Sequence, residues 1–258
     1  MEVRAALDAG RSRLLAAGGV AAFLGLWCLL SYGGLIPTVV LPSPGEVLLA
    51  FPVLHFEEAL VRSAVASLYR VFMGFLLAAA VAVPLGVAMG TFPALKRFCS
   101  PVLDPLRFLP ISALVPLFIV WFGIEDLQKI IFLFVGIVVY LLPLVVEAVE
   151  KVEDVYVQTA TTLGASTGQI VWHVLVPGSL PAIGEAVRVM NGIGWTYVIL
   201  AEVINAPSGL GHLITVSQRY GHVDRMFALV IVILLIGVLT DQLISALNRR
   251  LFSWAEQR

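Results

Sequence analysis

Long apolar stretches alternate with short polar ones along the whole chain, and six of the apolar stretches are uninterrupted runs rich in Leu, Val, Ile and Ala. Each is close to the roughly 20 residues that a helix needs to cross the hydrocarbon core of a bilayer. Transmembrane strands would instead show segments of about ten residues with alternating polarity. The pattern predicts an all-α, polytopic membrane protein with spans at about residues 14–35, 63–89, 101–122, 127–146, 183–204 and 226–247. The first stretch is long for the apolar part of a signal peptide and has no clear small-x-small site after it, so it is read as a retained helix. With no internal repeat and no low-complexity tract, residues 1–258 are read as one membrane unit.

The connections carry their own signals. In 36–62, Leu41-Pro42-Ser43-Pro44-Gly45 predicts the start of a short surface helix, because its two prolines fix the backbone. Residues 123–126 read as a tight turn, and 205–225 as a mixed loop holding Ser208-Gly209-Leu210-Gly211-His212. Inside the spans, Pro84, Pro110, Pro116 and Pro143 can each kink a helix, and Gly86 with Gly90 permits close helix contact.

Composition removes the soluble alternative. Hydrophobic types make up 60% of the 258 residues and charged types 13%, with mean hydropathy +0.98. About 25% charge is usual for a soluble domain. Lys and Arg set the orientation. With the N-terminus inside, cytoplasmic segments hold nine (Arg4, Arg11, Arg13, Lys96, Arg97, Lys151, Arg249, Arg250, Arg258) and outer segments four (Arg62, Lys129, Arg219, Arg225). Arg70, Arg107 and Arg188 are set aside as span residues. Both termini are therefore expected in the cytoplasm. Cys28 and Cys99 fall toward opposite faces, and no metal-ligand spacing exists. Neither a phosphate-cradling loop nor a convergent set of catalytic side chains is present, so no enzyme activity is expected. A stand-alone secondary transporter would tend to carry repeats and matched broken helices, and neither is evident.

One stretch does not read as membrane. Residues 155–169 are polar yet nearly uncharged. Glu153-Asp154 makes an acidic helix start, Gln158-Thr159-Ala160-Thr161-Thr162-Leu163 continues it, Gly164 interrupts, and Ala165-Ser166-Thr167 can cap a second short helix ahead of Pro177 and Pro181. Small side chains at Ala160, Gly164 and Ala165 make a low-profile knob. A helix resting on headgroups would carry basic residues on its polar face, and none occurs between Lys151 and His173.

This segment resembles the cytoplasmic coupling loop of bacterial ABC importer permeases. Its pattern is Glu-Ala-Ala, three residues, Gly, nine residues, then Ile-x-Leu-Pro. Here it reads Gln158-Thr159-Ala160, Gly164 and Val174-Leu175-Val176-Pro177. Leu163-Gly164-Ala165-Ser166 is similar to the nitrate/sulfonate/taurine/bicarbonate branch. So are Leu41–Pro44, Ser67–Phe75, Pro105–Pro110, Pro116–Ile124, Ala201-Glu202 and Ser208–Gly211, which together cover most of the chain from about residue 35 to 255. The resemblance implies a type I importer permease in a bacterial cytoplasmic (inner) membrane, a binding-protein-dependent component. It implies two permease copies around a pathway, two ABC ATPase subunits on the cytoplasmic side that bind ATP and Mg, and an extracytoplasmic substrate-binding protein. It implies no cofactor or metal in this chain and no nucleic-acid partner. The solute would be small, an anion such as nitrate, sulfonate, taurine or bicarbonate, or alternatively a thiamine precursor, pyrimidine or other organic solute. The coupling residues would be Gln158, Thr159, Ala160, Leu163, Gly164, Ala165, Ser166 and Pro177.

Polar side chains within the spans are the pathway candidates, namely Arg107, Arg188, Asn191, Thr196, Tyr197 and Glu202. Arg107 either faces a water-filled interior, with Asp104, Glu185 or Glu202 as partner, or snorkels to headgroups. Arg188 has Glu185 three residues before it. Glu202, fourteen residues beyond Arg188, cannot share a face with it on a straight helix, so its partner is expected on another span or another subunit.

Overall fold

The computed structural model describes residues 8–204 and 206–254, and among these all regular structure is helical. Arg4 and Arg258, used in the charge count, lie outside the described residues, as does Asn205 of the outer loop. The chain forms two compact units, Met1–Leu60 with Ile214–Ile231, and Val61–Leu213 with Val232–Arg258.

The first unit contains α1 (Ala9–Tyr32), α2 (Pro44–Phe56) and parts of α10 (Leu210–Arg219) and α11 (Val223–Leu251). The expected surface helix is α2. Ser43 caps it in a reciprocal box with Glu46, and Pro44 sits in its first turn. The Ser43 backbone N–H and hydroxyl donate to Glu46, holding its carboxyl below the usual range. The chain entering α2 is tied to α1, whose Trp27 Nε1 donates to Pro42 O at 2.9 Å and whose Ser31 hydroxyl donates to Leu41 O at 3.3 Å. Trp27 also meets Phe227 with ring centroids 6.2 Å apart, and Arg225 pairs with Glu58. The remainder of α1 shows its apolar side chains to the surroundings, as Leu14 (74% exposed) and Phe23 (70%) illustrate. A helix that is apolar all round and unburied by protein suits lipid as its solvent.

The second unit is built on α6 (Asp126–Glu150). Gly74, Ala78, Ala82, Gly86 and Gly90 recur every fourth residue along α3 (Leu60–Thr91), making a small-residue stripe. A Cβ at Gly74, Gly86 or Gly90 would press to 2.6–2.7 Å from Leu133, Val145 or Val149 of α6. Close backbone approach through small residues is how membrane helices gain packing when burial of apolar surface gives little advantage. The pairs 74/133, 86/145 and 90/149 keep one offset of 59 residues, so α3 and α6 run parallel.

Parallel neighbours require the chain between them to return across the full length of the pair. That return is the expected third span, and it is not one helix. It consists of α4 (Pro93–Leu106) and a segment made of the 3₁₀ turn Ile111–Leu114 and α5 (Val115–Phe122), bent by 82°. Pro110 stands at the break in extended backbone (ψ 102°) and Pro116 lies in the first turn of α5. Pro84 and Pro143, by contrast, lie inside unbroken helices. Beyond the break, Ile111, Val115 and Phe118 face inward onto Phe132 of α6 and Ala201 of α9 (Val176–Val203). Among the described residues, five helical runs are long and apolar enough to cross a membrane, or six if the bent pair is one span.

Candidate functional sites: an exposed coupling segment and a buried ion cluster

The polar segment folds as expected and continues further. α7 (Asp154–Thr162) starts at Asp154 and ends ahead of Gly164, whose φ of 82° lies in the left-handed region that glycine adopts without strain. Ser166 and Gln169 then form a reciprocal capping box on α8 (Thr167–Ile170). No break follows. A π-helical turn, Val171–Leu175, joins α8 to α9, so helix is continuous over Thr167–Val203 and the fifth span begins earlier than residue 183. Pro177 lies in the first turn of α9 and Pro181 within it, where breakers were expected before the span. Pro177 removes a donor and crowds the carbonyl of His173, four residues back, which lies in the wider π turn.

Part of the segment's polarity is turned back onto its own backbone. Thr159, Thr161 and Thr162 turn their hydroxyls back onto Val155, Val157 and Gln158 carbonyls at 2.7–2.8 Å. Leu163 is 82% exposed and Trp172 71%. Gln158, Gly164 and Ser166 are exposed, and Ala160, Ala165 and Pro177 half-buried. A cavity of about 660 Å³ under the segment is lined by Tyr156, Ala160, His173, Pro177 and Trp254, among others.

At the other end of the second unit, charges are buried together. Arg70 of α3 and Glu202 of α9 are each 1% exposed and paired at 2.6 Å. The Ser67 hydroxyl lies 2.8 Å from both oxygens of the Glu202 carboxylate, and the Gly211 N–H donates to Oε2 at 3.0 Å. Arg70 also donates to Asp126 Oδ1 (2.8 Å from Nε, 2.6 Å from Nη2), to Ser208 O at 2.7 Å and to the Ser208 hydroxyl at 3.0 Å. The Leu210 N–H donates to Ser67 Oγ at 2.9 Å. The fully buried Lys129 donates to Ile124 O at 2.5 Å and Glu125 O at 3.3 Å. Gly209, with φ 118°, leaves the space that the Glu202 carboxylate fills, because a Cβ there would collide with it. Buried charge survives in a protein only when it is compensated. Arg70 and Glu202 are compensated by each other and by their hydrogen bonds, and Lys129 by two backbone carbonyls.

The remaining candidates are dispersed. Arg188 forms a two-point pair with Asp241 of α11 at 2.9 and 3.0 Å, with Glu185 a weaker neighbour at 3.5 Å. Asn191 and Trp195 both donate to the Thr240 hydroxyl, at 3.0 and 3.2 Å. Thr196 is exposed and bonds its own helix at Gly192 O. Tyr197 lies across Gly136 and meets Phe132 edge-on at 5.9 Å. Arg107 caps the end of α4, exposed at the break, with its Nε on the Asp104 backbone carbonyl at 3.1 Å and not on a carboxylate.

Residues 82–253 match the family described as the inner membrane component of binding-protein-dependent transport systems. The chain belongs to that family. As one of its permeases it is a transport component and not an enzyme. It is 32% identical over 249 residues to the taurine transport system permease protein TauC of Escherichia coli K12, covering 95% of this chain and 90% of TauC. It is 29% identical over 234 residues to the putative aliphatic sulfonates transport permease protein SsuC of Bacillus subtilis 168, covering 91% and 85%. Among solved structures, a chain of the inward-facing MetNI methionine ABC transporter superposes with TM-score 0.63 at 22% identity, covering 78% of this chain and 96% of that one, which is a likeness of fold. The resemblance read from the motifs thus holds, as does the all-helical, multi-pass architecture.

For this permease the motifs have a physical account. Three of the quoted stretches, Ser67–Phe75, Ala201-Glu202 and Ser208–Gly211, converge on the ion cluster. Glu202 has its partner on another span, Arg70, and its carboxylate is closed off inside the protein. Sequence reasoning passed over Arg70, Asp126 and Lys129. Arg70 was assigned to a span and left out of the charge count without being weighed as a site residue, and Asp126 and Lys129 read as loop charges. The available signal was charge balance, since Glu202 and Arg70 are opposite charges in two apolar runs.

Proposed function

We propose that this permease works as one half of a homodimeric pathway in an ATP-driven importer, with residues 153–177 seated on ABC ATPase subunits. ATP and Mg bind those subunits, and this chain holds no cofactor. An extracytoplasmic binding protein delivers the solute, a small anion of the sulfonate or taurine class, with nitrate and bicarbonate as further members. Both termini face the cytoplasm of a bacterial inner membrane, a reading the nine-to-four charge count supports. Taurine and aliphatic sulfonates are what the names of TauC and SsuC specify, and this supports the solute class.

The observation that carries the coupling reading is the unbroken helix from Thr167 to Val203 beneath an exposed, capped turn at Gly164. A displacement applied at α7–α8 passes into the fifth span as a rigid body, with no loop to absorb it. The test is reconstitution of the permease with its ABC ATPase and binding-protein partners. Taurine should raise ATP hydrolysis and accumulate in proteoliposomes. Accumulation of a pyrimidine thiamine precursor with no response to taurine would transfer the assignment to the organic-solute alternative.

A further inference from the structure

The break in the third span places a cation at mid-depth. The Arg107 carbonyl accepts from the Tyr140 hydroxyl at 3.2 Å, which fixes its level along α6. Tyr140 is fourteen residues from Asp126 and ten from Glu150, or about 21 and 15 Å from the two ends of that helix. Arg107 is exposed, and among the described residues it forms no ion pair. Its guanidinium lies 5.5 Å from the ring centroid of Phe108, itself 80% exposed.

A guanidinium at this depth is too far from either headgroup layer to snorkel, so it faces water or protein. Its Nε is occupied, while its two terminal nitrogens have no hydrogen-bond partner among the described residues, and this is the fork that matches an oxyanion. We infer that the break is the point at which this permease holds the oxyanion head of its solute in mid-membrane, Arg107 binding the head and Tyr140 fixing the backbone that carries it. The inference rests on the reading of the chain as an anion importer and adds the residue that meets the anion.

The test uses the assembled complex in proteoliposomes, with Cys28 and Cys99 replaced by Ser and Phe108→Cys introduced. Two water-soluble methanethiosulfonates of similar size are compared, one bearing a sulfonate and one a trimethylammonium. The sulfonate reagent should react faster, and Arg107→Gln should lower the rate ratio by about tenfold, with Arg107→Lys retaining part of it. Taurine should slow the reaction in the Arg107 background only. A ratio unaffected by Arg107→Gln, or no reaction with either reagent, overturns the inference and leaves the coupling assignment standing. Identification of a ligand without an oxyanion head group on the cognate binding protein would overturn the anion reading, and the inference with it. Co-purification of the ATPase subunits with each variant permease shows that the variants are assembled.

Discussion

Arg70 and Glu202 are the least replaceable side chains in this permease, and the reason is desolvation. Both are 1% exposed and 2.6 Å apart. Removing one partner of such a pair leaves an unpaired buried charge and costs about 3–5 kcal/mol. Arg70→Ala should therefore lower the thermal stability of the detergent-solubilised protein strongly. Glu202→Gln should be milder, because the amide retains acceptor and donor capacity toward Ser67 and Gly211, and Asp126 remains to pair Arg70. The double variant Arg70→Met/Glu202→Gln should be more stable than Arg70→Met alone, and additive losses would argue against a coupled pair. Gly209→Ala should also destabilise, by about 1–3 kcal/mol, since it combines a φ of 118° with a collision against the Glu202 carboxylate. Half of this cluster was legible in the sequence. Glu202 stands out as a carboxylate in an apolar run, but its partner is 132 residues away, and neither periodicity nor motif spacing reports such a distance.

At the scale of elements, Gly164 separates two effects that are usually confounded. Its φ of 82° means that any side chain is strained there, yet a Cβ would meet nothing within 4 Å. Gly164→Ala measures strain alone, about 1–2 kcal/mol. Gly164→Trp adds bulk that projects outward, away from the permease. If the segment seats on an ATPase, Gly164→Ala should retain most solute-stimulated hydrolysis and Gly164→Trp should lose most of it, with equal membrane insertion. Equal activity of the two variants would remove the docking role. Ser166→Ala, which deletes the capping box, should cost about 1 kcal/mol and loosen α8 without blocking assembly. The helix, glycine and helix of this segment were readable because caps and turns are local signals. The π turn was not, because Pro177 and Pro181 signal a break, and only the geometry shows the turn ahead of Pro177 widening.

For the whole molecule, the deciding question is how many times the chain crosses the membrane. The bent pair Pro93–Leu106 and Ile111–Phe122 is either one broken span or a loop that enters and returns. The two alternatives place residues 151–175 on opposite faces. The constant 59-residue offset between α3 and α6 decides for a crossing, because two parallel helices packed along their length cannot be joined by a segment that returns to its own side. Six crossings are what the proposal of two cytoplasmic termini needs. The sequence pattern predicted the number of spans because hydrophobic length is a local property. It missed the break because Pro110 and Pro116 look no different from Pro84 and Pro143, which their helices accommodate. The prediction is made on single cysteines in an otherwise Cys-free permease without its ATPase. Tyr220→Cys, at a position 75% exposed, should react with an impermeant thiol reagent applied to the outside of whole cells. Leu163→Cys, 82% exposed, should react only after permeabilisation. Reaction at Leu163→Cys from outside would make the bent pair re-entrant. It would also place the α7–α8 knob where no ATPase could reach it, so one labelling pattern tests the crossing number and the coupling surface together.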